Sequence, residues 1–130
     1  MRHPGPGRSA SGLGRMEMLV GRWLLAGLFF AGAVQKVADP STVTALLDRF
    51  ALPGFLVWPA AIFNLAAAIL LASGTYVIPV ARSLALYCIV TSFFHFIPSD
   101  GWQMSIFVKN WAIAGGLLVL SAATGASQAK

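Results

Sequence analysis

The sequence predicts an all-α membrane protein, a four-transmembrane-helix bundle with a short interfacial helix between spans 1 and 2. Of its 130 residues, 58% are hydrophobic and only 10% are charged, whereas a soluble domain carries about 25% charged residues. A soluble fold of this size buries only about two-thirds of its surface, so lipid must cover much of the apolar remainder. Four apolar runs are long enough to cross a hydrocarbon core of about 30 Å. They form one domain, residues 16–123, with spans at about 18–37, 52–72, 76–97 and 104–123.

Both ends of the chain differ in composition from the apolar runs. Residues 1–15 are rich in Gly, Pro, Ser and Arg, which predicts a disordered basic tail, and residues 124–130 form a polar C-terminal tail. The basic leader, the first apolar run and Ala31-Gly32-Ala33 also fit a cleaved signal peptide. Because Arg22 interrupts the apolar run, we favour an uncleaved signal anchor.

The segment between spans 1 and 2 has its own helical pattern. Asp39-Pro40 ends the first span, and Ser41 or Thr42 can cap a new helix. Apolar side chains then recur at helical spacing, at Val43, Leu46, Leu47 and Phe50. This pattern predicts a short amphipathic helix in the membrane interface, with an irregular loop as the alternative.

The distribution of basic residues predicts the orientation. The formal net charge is +5, but the cations are spread in a way that indicates topology rather than a nucleic-acid surface. Arg2, Arg8 and Arg15 precede the first span, and Arg82 and Lys130 fall on the same side of the membrane. The positive-inside rule therefore places both termini in the cytoplasm.

The first span carries two cations on one helical face. Arg22 and Lys36 are separated by 13 uncharged residues, which cover only about 20 Å of helix. Their stems must therefore extend toward the membrane surfaces or turn into the bundle. At 100° per residue, Phe29 and Ala33 share this face. We expect the face to look at protein rather than at lipid.

The predicted topology collects several polar side chains in the non-cytoplasmic leaflet. This candidate binding cluster consists of Lys36, His95, Gln103, Lys109 and Asn110. The alternatives are ordinary interfacial roles, with lysines that extend to the headgroups and a histidine ring that caps its helix. Three further polar residues are predicted to be structural, namely Arg22, Asn64 and Arg82. We expect Asn64 to form hydrogen bonds across helices.

The sequence contains no recognisable catalytic or metal-ligating pattern. Cys88 is the only cysteine and lies in an apolar run, without a CxxC or Cys/His spacing. His3 and His95 are the only histidines, so heme binding is poorly supported. We therefore predict no catalytic residue and no metal site.

The pattern of polar residues along the chain resembles that of the DoxX family of small bacterial membrane proteins. The resemblance covers about residues 18–122. The pattern begins with Arg22, Gly32-x-x-x-Lys36 and Asp39-Pro40, continues with a third span from Arg82 to His95, and ends with Gln103-x-x-x-Phe107-x-Lys109-Asn110 before Gly115-Gly116. The most specific part is FVKNWAIAGGLLVL at the start of the fourth span. Asn64 takes a place where family members often carry a glutamate, which puts proton or cation handling there in doubt.

The resemblance implies a four-helical protein of the bacterial cytoplasmic (inner) membrane. The family is named for a subunit of a thiosulfate:quinone oxidoreductase, and other members are linked to membrane complexes that handle thiol or oxidative stress. We therefore expect an accessory or anchoring subunit of a larger redox or bioenergetic complex, not an enzyme by itself. We expect its partners to be the lipid bilayer and other membrane subunits, and we expect no nucleic-acid partner. The sequence is also compatible with a homo-oligomer.

Two alternative functions remain from the same residues. The first is a subunit that binds a quinone, the one cofactor that the resemblance suggests, or a small anion such as thiosulfate. Cations at the mouth of a bundle attract anions, and the candidate cluster would supply the donors. The second is a transporter or channel, which four short helices without an inverted repeat support less well.

Overall fold

The structure is a computed structural model that describes residues 8–128. Within this range the chain forms five α-helices and two short 3-10 turns. The helices are α1 (Arg8–Ala38), α2 (Pro40–Asp48), α3 (Val57–Ser73), α4 (Val77–Ser92) and α5 (Gly101–Gln128). One 3-10 turn, Gly54–Leu56, leads into α3, and the other, Phe93–His95, extends α4.

Four of the helical segments are long and apolar enough to cross a membrane. They are Gly12–Ala38, Gly54–Ser73, Val77–His95 and Gly101–Gln128. The predicted fold class, an all-α membrane protein with four spans, is confirmed. The segment between the first two spans is the helix α2 rather than an irregular loop.

Both predicted tails are shorter than expected. The helix α1 begins at Arg8, so residues 8–15 are helical and only residues 1–7 of the predicted tail lie outside the described range. At the other end α5 continues to Gln128, and residues 129–130 lie outside that range. Once a helix has formed, each added residue gains one backbone hydrogen bond, so both helices extend beyond their apolar runs.

The junction between α1 and α2 differs from its prediction in one detail. Asp39, rather than Ser41 or Thr42, occupies the N-cap position, and Pro40 begins the helix. The Ser41 and Thr42 hydroxyls donate hydrogen bonds of 2.6 and 2.8 Å to the Asp39 carboxylate. These hydrogen bonds, with that from Ser41 the stronger influence, lower the pKa of Asp39. Asp39 is therefore ionised at neutral pH.

The four long helices pack as two pairs. The helix α1 lies mainly against α3, and α4 lies mainly against α5, while less extensive contacts join α3 to α4 and α1 to α5. Leu71, Leu84 and Leu117 are fully buried where the helices meet. Several alanines line the same core, at positions 67, 68, 81, 85 and 114. Small residues let helix backbones approach closely, which favours association within lipid.

Large apolar side chains cover the outside of the bundle. Ile62, Leu86 and Val119 are among the exposed residues of α3, α4 and α5. A soluble monomer rarely exposes such continuous apolar surface. This apolar surface is therefore suited to contact with lipid rather than with water.

Candidate functional site

The bundle has two ends, which differ in their polar residues. We call them the Lys36 end, where α1 and α4 finish and α3 and α5 begin, and the Arg22 end, where α3 meets α4. The inner face of α1 joins the two ends, because Ala26, Phe29 and Ala33 are buried between Arg22 and Lys36. The prediction that this face looks at protein is confirmed.

Lys36 and Asn64 each lie close to one glycine, Gly32, on the inner side of the bundle. A methyl group added at Gly32 would lie 3.3 Å from the Asn64 Nδ2 and 3.8 Å from the Lys36 Nζ. The absence of a side chain at Gly32 therefore allows Asn64 to approach α1 closely, since even a methyl group would be tightly placed against its Nδ2. Lys36 is half-buried, and its stem turns toward the bundle rather than simply along the lipid.

Asn64 is deeply buried in this region. Only 2% of its surface is exposed, and its Oδ1 has no hydrogen-bond partner in the described part of the chain. The Tyr87 hydroxyl lies beside the Asn64 side chain, and the Tyr87 ring packs on Phe63 with centroids 5.2 Å apart. Asn64 thus lies beside another helix, with one acceptor unpaired in the described part of the chain. A buried amide oxygen without a donor costs about 1–3 kcal/mol.

The mouth of the Lys36 end is closed by two polar contacts. The His95 Nδ1 lies 2.6 Å from the Gln103 Oε1, so the ring N–H donates across the turn between α4 and α5. Arg49, which follows α2, donates a 3.0 Å hydrogen bond to the Phe94 carbonyl and lies over the Phe50 ring. These contacts tie α2 and α5 to the end of α4.

The structure brings together some of the five predicted cluster residues. His95 and Gln103 form a direct hydrogen bond, whereas Lys36 lies near Gly32, as does Asn64, a residue that we expected to be only structural. Lys109 is exposed, and Asn110 is half-buried on α5. The five residues share one end of the bundle but do not form one contact network within residues 8–128.

Two residues of this region were missed from the sequence. Tyr87 could have been noticed as a hydroxyl in an apolar span, one residue before Cys88. Arg49 gave no comparable signal, because its partner is a backbone carbonyl 45 positions away. Such a contact depends on tertiary packing alone.

The polar residues of the Arg22 end hold helices together. The Arg22 guanidinium covers Gly74, where an added methyl group would lie 3.2 Å from both Nη atoms. The next residue, Trp23, donates a 3.1 Å hydrogen bond from its indole to the Ala72 carbonyl. Arg82 donates a 3.1 Å hydrogen bond to the buried Ser121 hydroxyl. Arg22 and Arg82 each contact a residue of another helix or its end.

The chemistry available at the Lys36 end is recognition of a polar group. Lys36 offers ammonium donors, and Asn64 offers both donor and acceptor atoms in a site screened from water. Such a set can bind a carbonyl oxygen or a small anion. In the described range no three His, Cys, Asp or Glu side chains converge as metal ligands would.

Comparison with known proteins identifies the family. The DoxX family model matches residues 17–97, which include most of the first span, all of the second and third spans, and α2. The fourth span, whose sequence resembles the family most specifically, lies beyond the matched residues. No curated protein and no solved structure matches the chain. Because the match extends over more than half of the sequence, this multi-pass membrane protein belongs to the DoxX family.

Proposed function

We propose that this chain is an accessory or anchoring subunit of a larger redox or bioenergetic complex in the bacterial cytoplasmic membrane. The observation that supports the proposal is an aromatic cluster on the outside of α4 and α5. We define the aromatic cluster as Phe93, Phe96, Phe107 and Trp111. Three of these side chains are strongly exposed, and the fourth, Phe107, contacts all the others.

The rings of the aromatic cluster hold one another in place. Ring centroids are 5.9 Å apart between Phe93 and Phe107 and 5.2 Å apart between Phe96 and Phe107. Trp111 lies 6.3 Å from Phe93 in an edge-to-face arrangement. Rigid aromatic side chains lose little conformational entropy on binding and are enriched in the cores of protein interfaces. A helix of another subunit would find a preformed surface here.

An ordinary interfacial belt explains the cluster less well. Tryptophan often marks the headgroup level, and the exposed Trp102 at the start of α5 fits that role. Trp111 lies ten residues after the first residue of α5, about 15 Å along the helix. A headgroup layer is only about 5–7 Å thick, so Trp111 lies deeper than the belt.

Site-specific photocrosslinking in native membranes tests the proposed subunit contact. A photoreactive residue at Phe96 or Trp111 is expected to give a crosslink to one discrete membrane protein. Exposed positions elsewhere on the bundle, Val119 and Ile62, serve as matched controls and are expected to give lipid adducts. Phe96→Ala combined with Trp111→Ala should then reduce co-purification of that protein in mild detergent.

The proposal has a clear contrary outcome. If the aromatic positions give only lipid adducts, as the control positions do, and the chain purifies alone, it is not an accessory subunit. The proposal includes both termini in the cytoplasm, because Arg2, Arg8 and Arg15 precede the first span in the sequence. Labelling of cysteines introduced near each terminus, before and after cell lysis, would reveal an opposite orientation.

A second candidate function is supported by the two side-chain nitrogen atoms close to Gly32. The Lys36 Nζ and the Asn64 Nδ2 could donate to one carbonyl oxygen of a quinone or to an oxygen of a small anion such as thiosulfate. Two nitrogen donors close to one glycine support a ligand with acceptor oxygens at this position. His95 and Gln103 would close the site from the mouth.

Gly32→Val is expected to weaken binding of a short-chain quinone or of thiosulfate by about tenfold, the loss of one charge-assisted hydrogen bond. The added side chain would fill the space between Lys36 and Asn64. Isothermal titration of the purified protein measures the affinity. Gly116→Val is the matched control, because nothing lies within 4 Å of a methyl group there. Equal affinity of the wild type and the Gly32 variant would exclude this site.

A further inference from the structure

Arg22 carries a charge that residues 8–128 do not neutralise. Its Nε is buried and has no hydrogen-bond acceptor in that range. The nearby end of α3 does not need the guanidinium as a cap, because its carbonyls already accept other hydrogen bonds. The Gly74 and Thr75 amides donate to Leu71 and Leu70, and the Trp23 indole donates to Ala72. An unpaired cation in this environment favours an external anion.

Arg22 is held at the membrane boundary rather than free to move. Its guanidinium packs over Gly74, the residue that ends α3 with a φ of 78°. Gly74 has no side chain, so the flat cation can approach the backbone closely. The end of a spanning helix lies near the headgroup level, where lipid phosphates are found.

An apolar groove begins beside this cation. It lies between α1 and α3, has a volume of about 340 Å³, and is lined by Trp23, Ala26, Gly27, Phe30, Ala68, Ile69 and Ala72. Trp23 follows Arg22 directly, and Ala72 lies two residues before Gly74. From Trp23 to Phe30 the groove extends for about 10 Å of helix, comparable with a hydrocarbon leaflet of about 15 Å.

We propose that an anionic phospholipid binds here, with its phosphate on Arg22 and one acyl chain in the groove between Trp23 and Phe30. Arg22 lies at the level of the lipid phosphates, and the groove runs from it toward the hydrocarbon region. A phospholipid has the same arrangement, with its phosphate at the surface and its acyl chain below. Free phosphate would use Arg22 alone and leave the groove empty. A partner helix would use the groove and leave Arg22 without an acceptor. This site lies at the opposite end of the bundle from Gly32 and is separate from the aromatic cluster.

The experiment measures thermal stability and lipid adducts of the purified full-length chain. Phosphatidylglycerol, phosphatidylcholine and inorganic phosphate are added in separate detergent samples, and native mass spectrometry counts the lipids that remain bound. Phosphatidylglycerol is expected to raise the Tm and to give a one-lipid adduct. Arg22→Gln should weaken that effect by about tenfold, because a hydrogen-bonded charge pair is lost.

Gly27→Leu keeps the test decisive if Arg22→Gln fails to fold. Nothing lies within 4 Å of a methyl group added at Gly27, so leucine can fill the groove without disturbing the bundle. This variant should lose the phosphatidylglycerol effect and adduct. Gly116→Leu, at an equally open position on α5, should retain both.

Three outcomes would overturn the proposal. The first is that inorganic phosphate or phosphatidylcholine stabilises the protein as much as phosphatidylglycerol does. The second is that Gly27→Leu binds phosphatidylglycerol as well as the wild type. The third is that the only effect of Gly27→Leu is the release of a co-purifying protein.

Discussion

Leu117→Ala is expected to lower the free energy of unfolding by about 3 kcal/mol. Leu117 is 0% exposed and lies in the core shared by α4, α5, α1 and α3. Removing its side-chain methyl groups leaves a cavity between helices that approach one another through alanines. In lipid, close packing is a main source of helix association, so lost contacts are not replaced. Reversible unfolding in a mixed detergent titration measures the difference.

The next residue supplies the control for this experiment. Leu118 is 50% exposed, and lipid can fill the space that its side chain leaves. Leu118→Ala should therefore change the stability by less than about 0.5 kcal/mol. If both variants lose the same stability, the bundle does not pack as described. Because the two leucines are adjacent, local helix propensity cannot explain a difference between them.

Gly74→Ala is expected to lower the free energy of unfolding by about 2 kcal/mol. Gly74 has a φ of 78°, and a left-handed conformation costs an L-residue about 1–2 kcal/mol. The new methyl group would also lie 3.2 Å from both Nη atoms of Arg22, so the guanidinium would have to move. The same detergent titration measures the loss.

Gly27→Ala is the matched control for Gly74→Ala. It lies inside α1 with open space around an added methyl group, so alanine should stabilise the helix by about 0.5–1 kcal/mol. Opposite signs for the two glycine substitutions are therefore expected. A neutral or stabilising effect of Gly74→Ala would show that neither the left-handed turn nor the Arg22 contact exists in the protein.

Several features of the candidate site could be predicted from helical periodicity. Arg22 and Lys36 were expected on one protein-facing side of the first span, and both turn toward other helices. The same-end position of His95 and Gln103 followed from the order of the spans, and these two residues form a hydrogen bond. Periodicity works here because each residue of an α-helix has a fixed angular position.

Other features could not be predicted in this way. The sequence does not state which span lies beside which, so the particular neighbours of Asn64, Gly32 on α1 and Tyr87 on α4, were not foreseen. Lys109 and Asn110 share an end of the bundle with Lys36, but the rotation of α5 leaves Lys109 exposed. The sequence also misplaced the ends of α1 and α5, because helices continue past the apolar runs that identify them.

The sequence by itself determined that lipid surrounds this protein, that it crosses the bilayer four times and that it resembles the DoxX family. These properties depend on composition and on the length of apolar runs, which tertiary packing does not change. Only the tertiary structure decided that Gly32 makes room for Lys36 and Asn64, that Gly74 makes room for Arg22, and that a groove adjoins Arg22. Each depends on the distance between two helices distant in sequence, because a missing side chain creates space only where another helix approaches.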